Sequence, residues 1–178
     1  TEKGYLKTRI NKKISRGRIK AAAANRQNRI RREQKLLQEA KDDFKKWKDS
    51  HLFHTGLALY WAEGAKRSFG CQFMNSDHEM TEVWIRWLEE FIEIDRKKLF
   101  YRLYIHKPYA HEKCEEFWAN HLKVPIEIFK KTIYKPSRKL VKKRPQYKGC
   151  MRVTVPKSKK LLCKLKMWQN MLAEYYVK

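Results

Sequence analysis

Acidic residues are scarce in this sequence of 178 residues. Lys and Arg number 43 against 19 Asp and Glu, which gives a formal net charge of +24 and an isoelectric point near 10.0. So large an excess of positive charge predicts a polyanionic partner, of which nucleic acid is the first candidate. An acidic membrane surface is the second candidate. It fits less well, because the basic residues are not concentrated opposite a bulky apolar helix face.

Long apolar runs and paired cysteines are also missing. No stretch approaches the roughly 20 apolar residues that a membrane span requires, and the basic N-terminus lacks the apolar core of a signal peptide. The four cysteines form no C-x-x-C pair, which argues against disulfides and a zinc ribbon. We therefore expect a reducing, cytoplasmic and nucleoid-associated location. A loose group of histidines and Cys114 has a spacing that matches no familiar zinc site.

The first 49 residues have the composition of a basic helical arm. Residues 1–32 hold twelve Lys or Arg and one acid, Glu2, and their apolar side chains are too sparse for a core. Ala, Arg, Lys and Gln favour a helix, which apolar residues between Leu37 and Trp47 would anchor to the globular body. The arm is either a solvated, frayed helix or, as we favour, a surface that lies along phosphates. The candidate contacts are Arg16, Arg18, Lys20, Arg26 and Arg29.

An apolar helix is predicted over residues 51–63, with Ser50 as its N-cap. Its C-terminal part and the next residue form the run Gly-Leu-Ala-Leu-Tyr-Trp-Ala-Glu-Gly. The i, i+4 spacing of Ala58 and Ala62 places both on one side, where another helix backbone can approach closely.

The end of this helix delivers an acid, Glu63, followed by Gly64, which can take the positive φ that stops a helix. Two such helices packed side by side would bring two carboxylates together, which is a natural site for Mg²⁺. The alternative is an ordinary buried helix that ends at a glycine.

Residues 50–178 are predicted to form one α+β domain. Alternating patterns indicate four strands, and apolar periodicity indicates helices between and after them, in the order α-β-α-β-α-β-β-α. The predicted strands are 68–74, 99–106, 130–135 and 148–155. This order predicts helices on one face of an antiparallel sheet. No internal repeat is visible.

Segments in this domain resemble the LAGLIDADG homing endonucleases. The Gly56–Gly64 run is similar to their nine-residue signature, with Glu63 in place of the usual aspartate. Residues 72–77, Gln-Phe-Met-Asn-Ser-Asp, are similar to the strand-to-helix step of that family, and residues 149–154 to its closing strand. More specifically, the domain resembles single-motif proteins with a helix-turn-helix ahead of a basic linker. A shortened first hairpin and an extra helix near 110–122 depart from the family.

The resemblance implies a homodimer, because the chain carries one copy of the signature. The two copies would pack through Thr55, Ala58, Leu59 and Ala62. Glu63 from each copy, with the backbone of Gly64, would hold Mg²⁺ or Mn²⁺ at a scissile phosphate. Asn75 is expected to position water. Lys66 and Arg67 are expected to neutralise charge.

The resemblance further implies that one sheet face lies in the major groove of a pseudo-palindromic DNA duplex, although a merely solvated sheet face is the alternative. The predicted contacts on this face are Gln72, Arg102, Tyr104, His106, Lys130, Thr132, Tyr134, Lys148, Arg152 and Thr154. Lys135 is a further predicted nucleic-acid contact. A loop free of acids is expected to follow the phosphates through Arg138, Lys139, Lys142, Lys143 and Arg144.

The resemblance therefore implies a site-specific, homing-type DNA endonuclease. Two other functions stay open. Some regulators that resemble this fold bind DNA without cutting it, and only one signature acid per chain is visible here. Intron-splicing members of the family bind RNA, and basic charge alone does not separate RNA from DNA.

Overall fold

The computed structural model describes residues 2–66, 70–109, 113–136 and 146–177, with side chains from Gly17 onward. Its contacts divide the chain into two units, Thr1–Asp42 and Asp43–Lys178. The described residues form five α-helices and a four-stranded sheet, which confirms the predicted α+β class. The helices are α1 (Glu2–Trp47), α2 (His51–Glu63), α3 (His78–Ile92), α4 (Cys114–His121) and α5 (Lys159–Val177). The strands are β1 (Gln72–Asn75), β2 (Phe100–His106), β3 (Phe129–Lys135) and β4 (Cys150–Thr154).

The long helix α1 confirms the predicted helical arm. Every side chain from Gly17 to Lys35 is exposed, and Leu36 and Ala40 are the first buried ones. Within the described parts of the chain, no helix combines the length and the apolar character needed to cross a membrane.

Side-chain caps fix the starts of the two helices nearest the sheet. The Ser50 hydroxyl accepts a hydrogen bond from the backbone N–H of Phe53, so α2 begins at the predicted residue. One carboxylate oxygen of Asp77 accepts from the backbone N–H groups of Glu79 and Met80, which starts α3. These caps satisfy N–H groups that the first turn of a helix otherwise leaves without partners.

The sheet has the order β1-β4-β2-β3. Strand β4 pairs antiparallel with both β1 and β2, whereas β2 and β3 are parallel. The prediction of an antiparallel sheet was therefore wrong for its last pair. The physical reason is α4, because adjacent parallel strands need a crossover connection and this helix supplies it.

One face of the sheet forms the core together with α2 and α3. Phe73, Leu103 and Val153 are fully or almost fully buried on that face. The indole of Trp84 on α3 stacks on the rings of Tyr60 and Phe73, at centroid distances of 5.0 and 5.6 Å. This stacking joins α2, α3 and β1, and it fixes which side of α2 is turned away from the core.

Candidate nucleic-acid interface

The opposite face of the sheet is partly exposed. Along β2, alternate side chains are buried, and those between them point to this second face. The same alternation holds in β1 and β4. We call this surface the exposed sheet face; on these three strands it consists of Gln72, Met74, Phe100, Arg102, Tyr104, His106, Cys150, Arg152 and Thr154. It contains all the residues of β1, β2 and β4 that the sequence placed on one face for DNA contact.

A row of positive charge crosses the exposed sheet face. Arg102 and Arg152 are directly opposite each other on β2 and β4, and Lys130 on β3 pairs with Arg102 on its other side. The four strands contain no Asp or Glu. Like charges directly opposite each other destabilise a sheet. This arrangement therefore has an electrostatic cost that a bound anion would relieve.

The two arginines of this row also have unused donors. The Nε atoms of Arg102 and Arg152 are buried and have no hydrogen-bond partner among the described residues. A buried donor without a partner costs about 1–3 kcal/mol, more when it is charged. A shift of either side chain toward a bound phosphate would let its donor find an acceptor oxygen.

Aromatic rings hold the cations in place on the exposed sheet face. The Lys130 ammonium lies 4.9 Å from the ring centroid of Phe100. The ring of Tyr104 has the Arg152 guanidinium carbon at 4.8 Å and the Lys135 ammonium at 5.2 Å. Such cation–π contacts order long side chains before a ligand arrives, which lowers the entropy cost of binding.

Strand β3 departs from the predicted alternation. Lys130 pairs with Arg102, but the next pair along the ladder is Ile133 with Tyr104, so β3 contains one extra residue. This bulge reverses the facing of the residues that follow it. The predicted placement of Thr132 and Tyr134 on the exposed sheet face was therefore wrong.

Past the bulge, the exposed sheet face continues through Ile133 and Lys135. These residues pair with Tyr104 and His106, respectively. Thr132 is only 8% exposed, and its hydroxyl donates to a carboxylate oxygen of Glu115 on α4. Lys135 was predicted as a nucleic-acid contact, and it lies on the exposed sheet face.

Lys148 lies outside the sheet, because β4 begins at Cys150 and not at the predicted residue 148. Its carbonyl accepts a hydrogen bond of 2.8 Å from the indole N–H of Trp118. Its ammonium lies 5.9 Å from the ring centroid of Phe117. The predicted strand placement was wrong, and Lys148 instead lines the cleft described below.

Helix α2 ends at Glu63, whose side chain is exposed. Gly64 follows with φ −69° and ψ 148°, so the predicted positive φ was wrong. Glycine is required here for a different reason: a Cβ atom would lie 2.7 Å from ring carbons of Tyr60 and would overlap the carbonyl oxygen of Tyr60. Gly64 then forms a β-bridge with Phe73, and the N–H of Ala65 donates to the carbonyl of Gln72.

The side chain of Lys66 turns back onto the end of α2. Its ammonium donates to the carbonyl oxygens of Tyr60 and Trp61. Positive charge is favourable at a helix C-terminus, where carbonyl groups lack intrahelical partners. This capping contact was not predicted. The charge-neutralising role of Lys66 stays a prediction.

Two residues behind the end of α2, Cys71 and Tyr60, do not ionise at neutral pH. Burial raises the pKa of the Cys71 thiol to about 12. Burial also raises the pKa of Tyr60 well above its usual value, with the neighbouring thiol adding to the effect. Both groups therefore stay protonated at neutral pH, which leaves Glu63 as the ionisable group of interest here.

A cleft of about 980 Å³ brings Glu63 and Asn75 together, as the sequence predicted for two residues of one site. Lys148 lines the same cleft, whereas Lys66 does not. The sequence did not predict the other lining residues, which are Ser76, Asp77, His78, Glu79, Met80, Phe117, Gln146 and Tyr147. Residues 76–80 follow Asn75 directly in the sequence, so their proximity to it was the one available signal.

Hydrogen bonds engage the side chains of Asn75 and Asp77 in the cleft. The Asn75 side-chain oxygen accepts from the N–H of Asp77 at 2.9 Å, and its amide nitrogen lies 3.7 Å from the sulfur of Met80. Asp77 is engaged as the cap of α3. No group of three or more His, Cys, Asp or Glu side chains in the described ranges is placed to hold a metal ion.

The residues predicted to form a dimer interface lie on the outer side of α2. Thr55, Ala58 and Ala62 are exposed, and Leu59 is partly exposed. The Thr55 hydroxyl donates to the carbonyl of His51, which satisfies its polar group within the helix. Trp61 beside them is 48% exposed. This side of α2 is thus a small-residue, mostly apolar surface.

The predicted contacts on α1 are exposed where their side chains are described: Arg18, Lys20, Arg26 and Arg29. Arg29 makes one long ion pair, 3.5 Å from Glu33. Seven other predicted contacts lie outside the described side chains: Arg16, Arg67, Arg138, Lys139, Lys142, Lys143 and Arg144.

Comparisons of the chain with protein-family models, with curated proteins and with solved structures found no match. Its function must therefore be inferred from the residues and their geometry.

Proposed function

We propose that this chain binds duplex DNA through the exposed sheet face, acts as a homodimer of the LAGLIDADG type joined along α2, and cuts each strand at Glu63. The observation that carries the proposal is the row of Arg152, Arg102 and Lys130 across three strands, with unused donors and no acid in the sheet. Cations in this number supply affinity for phosphates, and arginines in a groove also read base edges.

The outer side of α2 supports the dimer. A contiguous, uncovered surface of small and apolar residues is typical of an interface. A two-fold axis along Ala58 and Ala62 would place the same surface of each copy against the other. Glu63, one residue beyond Ala62, would then lie near its counterpart.

In this proposal, the dimer holds a divalent cation between its two copies of Glu63. The Glu63 carboxylate is exposed, whereas that of Asp77 is committed to capping α3. Glu63 from each copy, with the Gly64 carbonyl, would hold Mg²⁺ or Mn²⁺, which when bound favours an activated water and stabilises a leaving oxygen. Asn75, held by the N–H of Asp77, would orient water or phosphate in the cleft.

A regulator that binds DNA without cutting it is the second candidate. The cleft supports it, because only Glu63 and Glu79 among its acids are not engaged as a helix cap. Both candidates require the same exposed sheet face, and they differ only in whether Glu63 has a catalytic role.

The deciding experiment compares the parent protein with Glu63→Gln. Its native duplex, found by selection from a random pool, is incubated with Mg²⁺ and assayed for binding and for strand cleavage. We expect the parent to cut once per strand, and Glu63→Gln to bind within about threefold of the parent while cutting at least 100-fold more slowly. Glu79→Gln is the matched control, because it removes an acid from the other wall of the same cleft.

Tight, salt-sensitive binding without cleavage by the parent would support the regulator instead. Preference for structured RNA over every duplex would contradict both candidates and indicate a maturase-like role.

The dimer is tested separately by Ala58→Glu. A buried charge at the interface should reduce the mass in solution from about twice 21.7 kDa to a single chain of 21.7 kDa. Ala24→Glu on α1 is the control, because it adds the same charge at an exposed site outside α2. A dimer that persists in Ala58→Glu would contradict the proposed packing.

A further inference from the structure

Strand β3 turns an apolar side chain outward and a polar one inward. Past the bulge, Ile133 lies on the exposed sheet face and is 38% exposed, whereas its neighbour Thr132 is only 8% exposed. Isoleucine is among the residue types most often buried, and threonine is mostly exposed. The usual arrangement is therefore reversed at these two positions.

The reversal is unfavourable at both residues. Ile133 leaves apolar surface in water, and the inward-facing hydroxyl of Thr132 depends on a carboxylate oxygen of Glu115 as its partner. Without the bulge, the alternation that begins at Lys130 would turn Thr132 outward and Ile133 inward. Bulges often re-aim a side chain next to a functional site, and local conflicts of this kind concentrate at such sites. The bulge thus singles out Ile133 as a contact residue.

Ile133 lies among cations on the exposed sheet face. It pairs with Tyr104, whose ring has the Arg152 guanidinium and the Lys135 ammonium against it. These cations would hold a nucleic acid close to Ile133. Phe100 is also exposed on this face, but its ring already has a lysine ammonium over it. An aliphatic side chain cannot form a cation–π contact, so Ile133 needs an apolar partner.

The chemistry of isoleucine selects a methyl group as that partner. Its side chain has no hydrogen-bond donor or acceptor, so it can recognise neither a phosphate oxygen nor the polar edge of a base. In the major groove, the apolar group that a base pair presents is the C5-methyl group of thymine. The base 5-methylcytosine has a methyl group at the same position, whereas the uracil of RNA has none.

We propose that Ile133 contacts the C5-methyl group of a pyrimidine in the major groove and so determines part of the recognition sequence. This inference rests on the duplex binding proposed above and names a specificity-determining residue for it. The sequence analysis assigned no contact to Ile133. In the proposed homodimer, each half of a pseudo-palindromic site would contain one such methyl group.

The test begins with the duplex that the parent selects from a random pool. Each thymine is replaced in turn by 2′-deoxyuridine, which removes the methyl group and keeps the hydrogen-bonding groups of the base. We expect one thymine in each half-site at which this replacement weakens binding about 3- to 5-fold, as for the loss of one buried methyl group. At the same position, 5-methylcytosine should bind more tightly than cytosine by a similar factor.

A variant then identifies the side chain that contacts the methyl group. Ile133→Ala should weaken binding to the selected duplex about 3- to 10-fold, and it should bind the thymine and uracil duplexes equally. Tyr134→Ala is the matched control, because it truncates the next side chain of the same strand, which is exposed and on the opposite face. It should keep the full uracil penalty. Urea denaturation of both variants checks that the fold is intact.

Two results would overturn this inference alone, because duplex binding would remain. One is a uracil penalty of the same size in the parent and in Ile133→Ala. The other is a parent that is insensitive to the methyl group at every thymine and cytosine of its selected site. Absence of duplex binding by the parent would overturn the proposed function, and this inference with it.

Discussion

The two faces of the sheet differ in how neighbouring side chains interact. On the core face, rings stack: Trp84 lies 5.0 Å from Trp87 and 5.6 Å from Phe73, and neighbours attract one another. On the exposed sheet face, Arg102 is opposite Arg152 and the neighbours repel. A pattern that opposes stability on one face of the same strands indicates a surface kept for a ligand. The core face should therefore control folding, and the exposed sheet face should control binding.

The largest expected effect is on the core face. Trp84→Ala removes the indole that joins α2, α3 and β1, and we expect it to lower the free energy of unfolding by about 3–5 kcal/mol, measured by urea denaturation. Tyr134→Ala, which truncates a half-exposed ring on β3, is the control and should cost under about 1 kcal/mol. Equal losses in the two variants would show that the core is not organised around Trp84.

The intermediate effect is on the exposed sheet face. Arg102→Gln removes a charged donor and should weaken duplex binding about 10- to 100-fold in a titration at fixed salt. It should leave the free energy of unfolding unchanged, or raise it by about 0.5 kcal/mol, because repulsion from Arg152 is relieved. Lys97→Gln, at an exposed 3₁₀ turn, removes the same charge elsewhere and should change binding less than threefold. Loss of stability with unchanged binding in Arg102→Gln would reverse the roles assigned to the two faces.

The smallest effect tests the bulge in β3. Thr132→Val removes the hydroxyl that donates to Glu115 and should lower the free energy of unfolding by about 1 kcal/mol, with duplex affinity unchanged. Lys130→Gln, before the bulge, should weaken duplex binding and leave the free energy of unfolding unchanged. If Thr132→Val weakened binding and left stability intact, the original period-two placement of Thr132 on the DNA-facing side would be restored.

Local features were predictable from the sequence. The cap Ser50, the order of elements in the body and the alternation along β2 all depend on residues close together in the chain, and all were confirmed. The parallel pairing of β2 and β3 was missed although the helix between them was predicted. That helix was interpreted as an extra element. Its physical consequence is a crossover connection, which makes the two strands parallel.

Other features depend on contacts between distant residues. The sequence of Phe129–Lys135 does not determine which of its alternate residues face the core. Only the register of this strand against β2 therefore reveals the bulge. The need for glycine at position 64 comes from the ring of Tyr60 and not from a turn. For the candidate site, Glu63 and Asn75 were predicted as partners, but the walls formed by Phe117 and Tyr147 come from other elements and had no local signal.

The β-bridge between Gly64 and Phe73 connects the end of α2 to the strand that leads to Asn75. Because the two backbones are paired there, a shift of the end of α2 would also displace the neighbouring strand. A second copy that packed on α2 would thus set the positions of Glu63 and Asn75 together. Dimer assembly would then also align the Glu63 carboxylate.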